Sequence, residues 1–234
     1  MAISDILHLP AIEVETLRYQ KSTGHFIHFK AVTSAKDSRH FKGKIQLIDK
    51  KGISIISDID DTIKISEVLD KRALLANTFK HPFQPVPRMA KFYNTLTQQE
   101  NVTFHYVSAS PWQLYQPLAT FLADNDFPAG SFHLRLFRWK DNSFFKFFKS
   151  SRSHKMRTIQ SLINCCDKRR FILIGDSGEH DPEIYADIAR QYPQQVIRIF
   201  IRDVTGENAI RYQKTFKNLP KSLWTVFQDA TILK

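Results

Sequence analysis

Glycine is scarce in this chain, 7 among 234 residues, and their placement excludes several nucleotide machines. Neither G-x-x-x-x-G-K-[ST] nor G-x-G-x-x-G can be written anywhere, so no P-loop and no dinucleotide fingerprint is present. The G-x-S-x-G nucleophile elbow and the H-E-x-x-H zinc helix are missing too. The 2 cysteines, Cys165 and Cys166, are adjacent, which suits neither a disulfide framework nor a four-ligand zinc site. Two bare thiols point to a reducing compartment, and the first residues, Met1-Ala2-Ile3-Ser4-Asp5, have no basic n-region that would announce secretion. No apolar run approaches the roughly 18 residues a membrane span needs. What the chain does have is an ordinary globular balance, 42% hydrophobic and 24% charged, with 19 Phe, a content that excludes a solvated, disordered chain.

Charge is the one unusual bulk property, at +11. Over half of it falls in one segment, where Arg138, Lys140, Lys146, Lys149, Arg152, Lys155 and Arg157 face a single acid, Asp141. Such a block implies an anionic partner, whether nucleic acid, lipid surface or phosphorylated substrate.

Four short apolar runs each end at polar or acidic residues: Ile53–Ile56, Val102–Val107, Phe171–Ile174 and Val196–Ile201. Their length and mostly β-branched or aromatic content suit strands buried on both faces of a parallel sheet. Helical stripes lie between them, one through Met89, Phe92, Tyr93 and Leu96, another through Met156, Ile159, Leu162 and Ile163 with Ser153 as its N-cap. The alternation predicts an α/β fold with ligands at the carboxyl ends of the strands. A further helical stretch is expected at Lys71–Phe79, then a stiff loop marked by Pro82, Pro85 and Pro87. The first residues read as β-rich, with a hairpin turn at Tyr19–Phe26 and a strand within Phe41–Asp49. The expected division is a β-rich extension over residues 1–51 and the main domain over 52–234.

Ser57-Asp58-Ile59-Asp60-Asp61-Thr62 follows the first sheet strand directly. In extended backbone Asp58 and Asp60 project to one side, where two carboxylates repel unless a cation or proton lies between them. A turn or helix cap is the plain alternative. A calcium loop fits poorly, with Ile63 in place of its glycine and Leu69 in place of its final glutamate. Gly175-Asp176-Ser177-Gly178-Glu179-His180-Asp181 ends the third strand in the same manner. If the two strands are neighbours, the acids converge on a site suited to Mg²⁺. Asp181-Pro182-Glu183 also reads as a helix N-cap, so Asp181 is expected to cap a helix and to touch the metal's surroundings. Ser108, at the end of the second strand, and Lys155, near a helix start, could serve phosphoryl oxygens.

The order Asp-x-Asp-x-Thr, strand–Ser, Lys, strand–Gly-Asp-x-x-x-x-Asp resembles the haloacid dehalogenase superfamily from about Gly52 to Val204. Within it, Gly52–Lys64, Phe104–Leu114 and Ile172–Glu183 look like the actin-patch-protein-type phosphatidate phosphatase catalytic domain. Two departures stand out. Arg88 follows Pro85-Val86-Pro87 where a glycine is expected, and the N-terminal portion is shorter than the β-rich region of relatives.

The resemblance implies a three-layer, Rossmann-like core with a mostly parallel sheet, preceded by the small β-rich extension. It implies Mg²⁺-dependent hydrolysis of phosphatidate to diacylglycerol and phosphate. Asp58 would be the nucleophile and Asp60 the acid and base. The metal would be held by Asp58, the Asp60 carbonyl and Asp176. Ser108 and Lys155 would hold the phosphoryl oxygens, Thr62 would brace the loop, and Asp61 would take no catalytic part. The aromatics Trp139, Phe144, Phe145, Phe147 and Phe148, interleaved with Lys146 and Lys149, either enter the core or meet an anionic membrane surface. The expected location is cytoplasmic with peripheral membrane contact, and nucleic acid is not an expected partner. Alternatives are the same chemistry on a soluble or nucleic-acid phosphate, and a non-catalytic lipid-binding module.

Overall fold

All four apolar runs are strands of one sheet. The computed structural model describes residues 26–30, 42–65, 83–99, 101–136, 151–206 and 209–233, and the chain divides into two units, Met1–Asp49 and Lys50–Lys234. In the first unit β1 (Phe26–Lys30) pairs antiparallel with β2 (Lys42–Gln46), with the Phe29 ring lying over Gly43 directly opposite. The expected turn at Tyr19–Phe26 lies outside the described residues except for Phe26, which opens β1.

The second unit carries the sheet. Its described elements are β3 (Gly52–Ser57), β4 (Lys64–Ile65), β5 (Gln84–Pro85), α1 (Met89–Leu96), β6 (Val102–Pro111), α2 (Tyr115–Asp124), β7 (Gly130–Arg135), α3 (Ser151–Cys165), β8 (Arg169–Asp176), α4 (Asp181–Gln191), β9 (Val196–Arg202), α5 (Ala209–Thr215) and β10 (Trp224–Phe227). Six strands run in the order β10-β9-β8-β3-β6-β7, every pair parallel. Helices cover both faces. Ile53 and Ile55 share one cluster with Met89, Phe92 and Tyr93 of α1 and Leu118 and Phe121 of α2. Ile56, Ile199 and Ile201 share the other with Ile159 and Ile163 of α3 and Ile184 and Ile188 of α4. This is the expected three-layer α/β arrangement.

From β3 the chain builds β6 and β7 on one side, then returns to build β8, β9 and β10 on the other. The strand order therefore reverses between β3 and β8, and a crevice opens outside their carboxyl ends, where open α/β sheets bind ligands. Asp58 follows β3 and Asp176 ends β8, so topology alone brings the two acids together.

Several expectations need correction. Two sheet strands were not anticipated: β7 alternates buried and half-buried positions and β10 has 4 residues, so neither forms a long apolar run. Strand β6 continues to Pro111, so Ser108 lies within it rather than at its end. Ser153 is inside α3, which already includes Ser151. Helix α4 has His180 at its N-cap and Asp181 as its first residue, with no side-chain cap, which frees the Asp181 carboxylate for the site. Arg88 precedes α1 with φ 67, the left-handed region that favours glycine. The stretch Lys71–Phe79, together with Pro82, falls outside the described residues.

Opposite the crevice, Arg169 is buried at 1% exposure beneath the strand starts. Its guanidinium donates to the carbonyls of Lys51, Ile53 and Asn101 and to the Ser54 hydroxyl, joining the first turns of β3, β6 and β8.

Candidate active site

The loop after β3 is pinned before it does anything chemical. Asp58 N–H donates to the Ile174 carbonyl of β8 at 2.9 Å, and Ile59 and Ile63, both buried, anchor the following turn in the core. The turn closes through Ile63 and Lys64 N–H bonds to the Ile59 carbonyl and an Asp61 N–H bond to the Lys64 carbonyl. Asp61 takes a left-handed φ of 56, and Arg202 donates to its carbonyl at 2.7 Å.

Asp58 sits at the centre of a charged cluster. Lys155 Nζ donates to Asp58 Oδ1 at 2.7 Å and to Asp181 Oδ1 at 2.5 Å. Thr62 Oγ1 donates to Asp58 Oδ2 at 3.2 Å and lies 3.5 Å from Asp176 Oδ2, so its single hydroxyl proton sits between the two acids. Gly178 N–H donates to Asp176 Oδ1 at 2.6 Å. Glycine is required at position 175, because a Cβ there would collide with the Asp181 carboxylate and the Tyr185 ring. Lys155, counted in the basic block, is buried here at 5% exposure, while Arg152 pairs at the surface with Asp187.

Carboxylate oxygens of Asp58, Asp176 and Asp181 lie within 4.8 Å of one another, and all three residues are buried. Three carboxylates facing one ammonium would leave two uncompensated negative charges if all were ionised. Burial, opposed by Lys155 and reinforced by Asp181 and Asp176, holds the Asp58 carboxyl well above its ordinary range. Burial and the Asp181 charge push Asp176 up to about 7. Burial works against the Lys155 ammonium, but Asp181 and Asp58 outweigh it and raise its pKa. The donors are hard oxygens short of positive charge, which is the chemistry a Mg²⁺ ion satisfies.

Asp60 is held apart from this cluster. Ser108 and Ser110 both donate to its Oδ2, at 3.1 and 3.0 Å, and Lys64 Nζ lies 2.7 Å from its Oδ1. Burial alone would raise its carboxyl, but Lys64 and the two hydroxyls hold it below the usual range. The structure thus divides the acids into Asp58, Asp176 and Asp181 on one side and Asp60 with its three donors on the other. Ser108, expected beside phosphoryl oxygens, bonds Asp60 here.

Sequence reasoning passed over Ser110 and Lys64. Ser110 carried a signal, since residues two apart on an extended strand share a side and Ser108 was already a candidate. Lys64 had only its place four residues after Asp60. Trp139, Phe144, Phe145, Lys146, Phe147, Phe148 and Lys149 lie outside the described residues.

The profile of the family described as "Phosphatidate phosphatase APP1, catalytic domain" matches residues 53–203, which include both acid-bearing strands and Lys155. The chain belongs to this family. It is 40% identical over 154 residues to the phosphatidate phosphatase APP1 of Saccharomyces cerevisiae, an alignment covering 64% of this chain and 26% of that protein. It is 30% identical over 217 residues to an uncharacterised protein of Schizosaccharomyces pombe, covering 90% of this chain and 35% of that one. The chain thus spans about a third or less of the length of these two relatives. A D,D-heptose 1,7-bisphosphate phosphatase from B. bronchiseptica, complexed with magnesium and phosphate, aligns over 75% of this chain and 92% of its own. Its TM-score is 0.32 at 15% identity, a likeness too distant to bear on function. Among the described residues, no helix is long and apolar enough to cross a membrane.

Proposed function

We propose that this member of the APP1 catalytic-domain family is a Mg²⁺-dependent phosphatidate phosphatase working through an aspartyl-phosphate. The observation that carries the reading is the separation of the acids. Asp58 lies among carboxylates that could hold a metal ion and is oriented by Lys155 and Thr62, whereas Asp60 is held independently by Ser108, Ser110 and Lys64. Two carboxyls held by separate sets of partners suit two roles, nucleophile and acid–base. A bound cation would leave Asp58 ionised, and Asp60, ionised beside Lys64 at rest, would take up the proton that a substrate phosphate monoanion brings.

Asp58 would attack phosphorus in line, forming an O–P bond as the ester P–O bond breaks. The leaving oxygen keeps the bonding pair and takes a proton from Asp60, giving the alcohol. Asp60 then accepts a proton from water as that water attacks the phosphoryl group, which restores Asp58 and releases phosphate. Asp58, Asp176, Asp181 and the Asp60 carbonyl would hold Mg²⁺ or its bound water, and the ion would neutralise charge on the transferring group. Lys155 and Ser108 would turn toward phosphoryl oxygens once substrate enters, leaving Ser110 on Asp60 Oδ2. Cytoplasmic residence with peripheral contact at an anionic membrane surface, through Trp139, Phe144, Phe145, Phe147, Phe148, Lys146 and Lys149, completes the reading.

The test is phosphate release from phosphatidate in mixed micelles, with Mg²⁺ or EDTA, for the native chain and Asp58→Asn. Activity that requires Mg²⁺ and falls by roughly three or more orders of magnitude in the variant supports nucleophile and substrate together. Release from 4-nitrophenyl phosphate alone would keep the mechanism and move the substrate to another phosphate ester. Inactivity on both would leave a lipid-binding module as the better account.

A further inference from the structure

Lys64 is a lysine where lysines are rarely found. Its side chain is 4% exposed, while the Asp60 carboxyl it pairs with is 32% exposed. The turn that buries it is made by backbone: Lys64 N–H bonds the Ile59 carbonyl, Asp61 N–H bonds the Lys64 carbonyl, and Lys64 pairs with Pro85 in the β4–β5 ribbon. These bonds do not depend on the side chain. The ammonium lies 4.9 Å from the centre of the Phe83 ring, which packs edge-on against Phe121 at 6.0 Å. The charge is therefore backed by a fixed aromatic face and directed at Asp60 Oδ1.

From the other side, β6 presents Ser108 and Ser110 to Oδ2. The two carboxyl oxygens are gripped from opposite elements, by an ammonium on one and by hydroxyls on the other. Rotation of the carboxyl about its Cβ–Cγ bond would break all three contacts. Asp60 is also the more accessible of the two acids, since the Asp58 side chain is only 6% exposed.

We propose that Lys64 is a positioning residue that aims the Asp60 carboxyl at the leaving-group oxygen, an assignment that rests on the phosphomonoesterase reading. Asp60 first takes up the proton carried by the substrate's phosphate monoanion; as the ester P–O bond breaks, its electron pair remains on the leaving oxygen, which receives that proton from Asp60. The carboxylate left behind is then paired with the Lys64 ammonium. Proton transfer requires the two oxygens to lie within about 2.6–3.2 Å, so loss of the grip on Oδ1 penalises this step first. Attack by Asp58, held by Lys155 and Thr62, does not depend on Lys64.

The leaving group separates this role from a structural one. An alkoxide needs the proton, whereas 4-nitrophenolate departs with little help. The experiment measures kcat/KM, which reports events up to loss of the leaving group, for n-octyl phosphate and 4-nitrophenyl phosphate in Mg²⁺. The proteins are the native chain, Lys64→Met, Lys64→Arg and, as reference, Asp60→Asn, each checked by its thermal unfolding midpoint. Expected for Lys64→Met is a loss of about 10²-fold on the alkyl ester and less than about 5-fold on the aryl ester, the pattern of Asp60→Asn in milder form. Lys64→Arg should recover part of the alkyl activity. Equal losses on both esters, or no loss on either, would overturn the assignment while the phosphatase reading stands. A native chain that cleaves neither ester would overturn both.

Discussion

Gly175 and Asp181 share one space: a side-chain carbon on the first would occupy the position of the second's carboxylate. Gly175 is also in β8, paired with Ile201 of β9 and followed immediately by Asp176, so its backbone cannot retreat. The substitution Gly175→Ala is expected to displace Asp181 and loosen the Lys155 ammonium. A shift of about 1 Å in such a site costs on the order of 10²-fold in rate. Overpacking of a central strand should lower stability by about 1–3 kcal/mol. Steady-state kinetics and urea unfolding of the variant check both, and unchanged activity would remove Asp181 from the working site.

The cluster of Asp58, Asp176 and Asp181 makes stability depend on pH. Burial and Asp181 raise Asp176 to about 7, and Asp58 and Asp181 are raised as well, by burial first. Between about pH 4 and pH 7 the folded protein then keeps protons that the unfolded chain has lost, so stability falls as pH rises through that window. In EDTA, the unfolding midpoint should decline from pH 4.5 to pH 7, and Asp176→Asn should flatten the decline, gaining about 2 kcal/mol at pH 7.5. If Mg²⁺ binds these carboxylates it would compete with those protons, so it should stabilise the native protein more at pH 8 than at pH 5. Calorimetry across pH with and without Mg²⁺ decides this, and an ion effect independent of pH would count against the carboxylate site.

Much of this was legible before the structure. The acids at Asp58, Asp60 and Asp176 follow buried strands whose apolar, β-branched runs are plain in the sequence, and parallel strands place their ends together. Strand β7 was hidden because an edge strand is half-wetted along one face, and β10 because 4 residues carry little pattern. Lys155 was visible but disguised, one basic residue among seven. Lys64 was invisible, since its burial is produced by a turn and by Phe83, which is 19 positions further along the chain and whose approach no local pattern encodes.

Arg88 sits in left-handed backbone before α1 and makes no side-chain cap. A residue with a Cβ costs roughly 1–2 kcal/mol there, and glycine does not. Arg88→Gly should therefore stabilise the protein, by about 1 kcal/mol after glycine's greater freedom in the unfolded chain is allowed for. Chemical unfolding of the pair measures it directly, and a loss of stability would show that the arginine side chain is contributing more than its backbone strain removes.

The Arg169 guanidinium gives the two ends of the sheet different temporal characters. At the strand starts it gathers carbonyls from Lys51, Ile53 and Asn101 under a buried cation, so the first turns of β3, β6 and β8 can open only together. At the strand ends the same three strands terminate in separate loops. Amide exchange should therefore be slowest at the base and graded toward the ends that carry Asp58 and Asp176. The acid-bearing ends are thus left free of the fastening that the opposite ends of β3, β6 and β8 share.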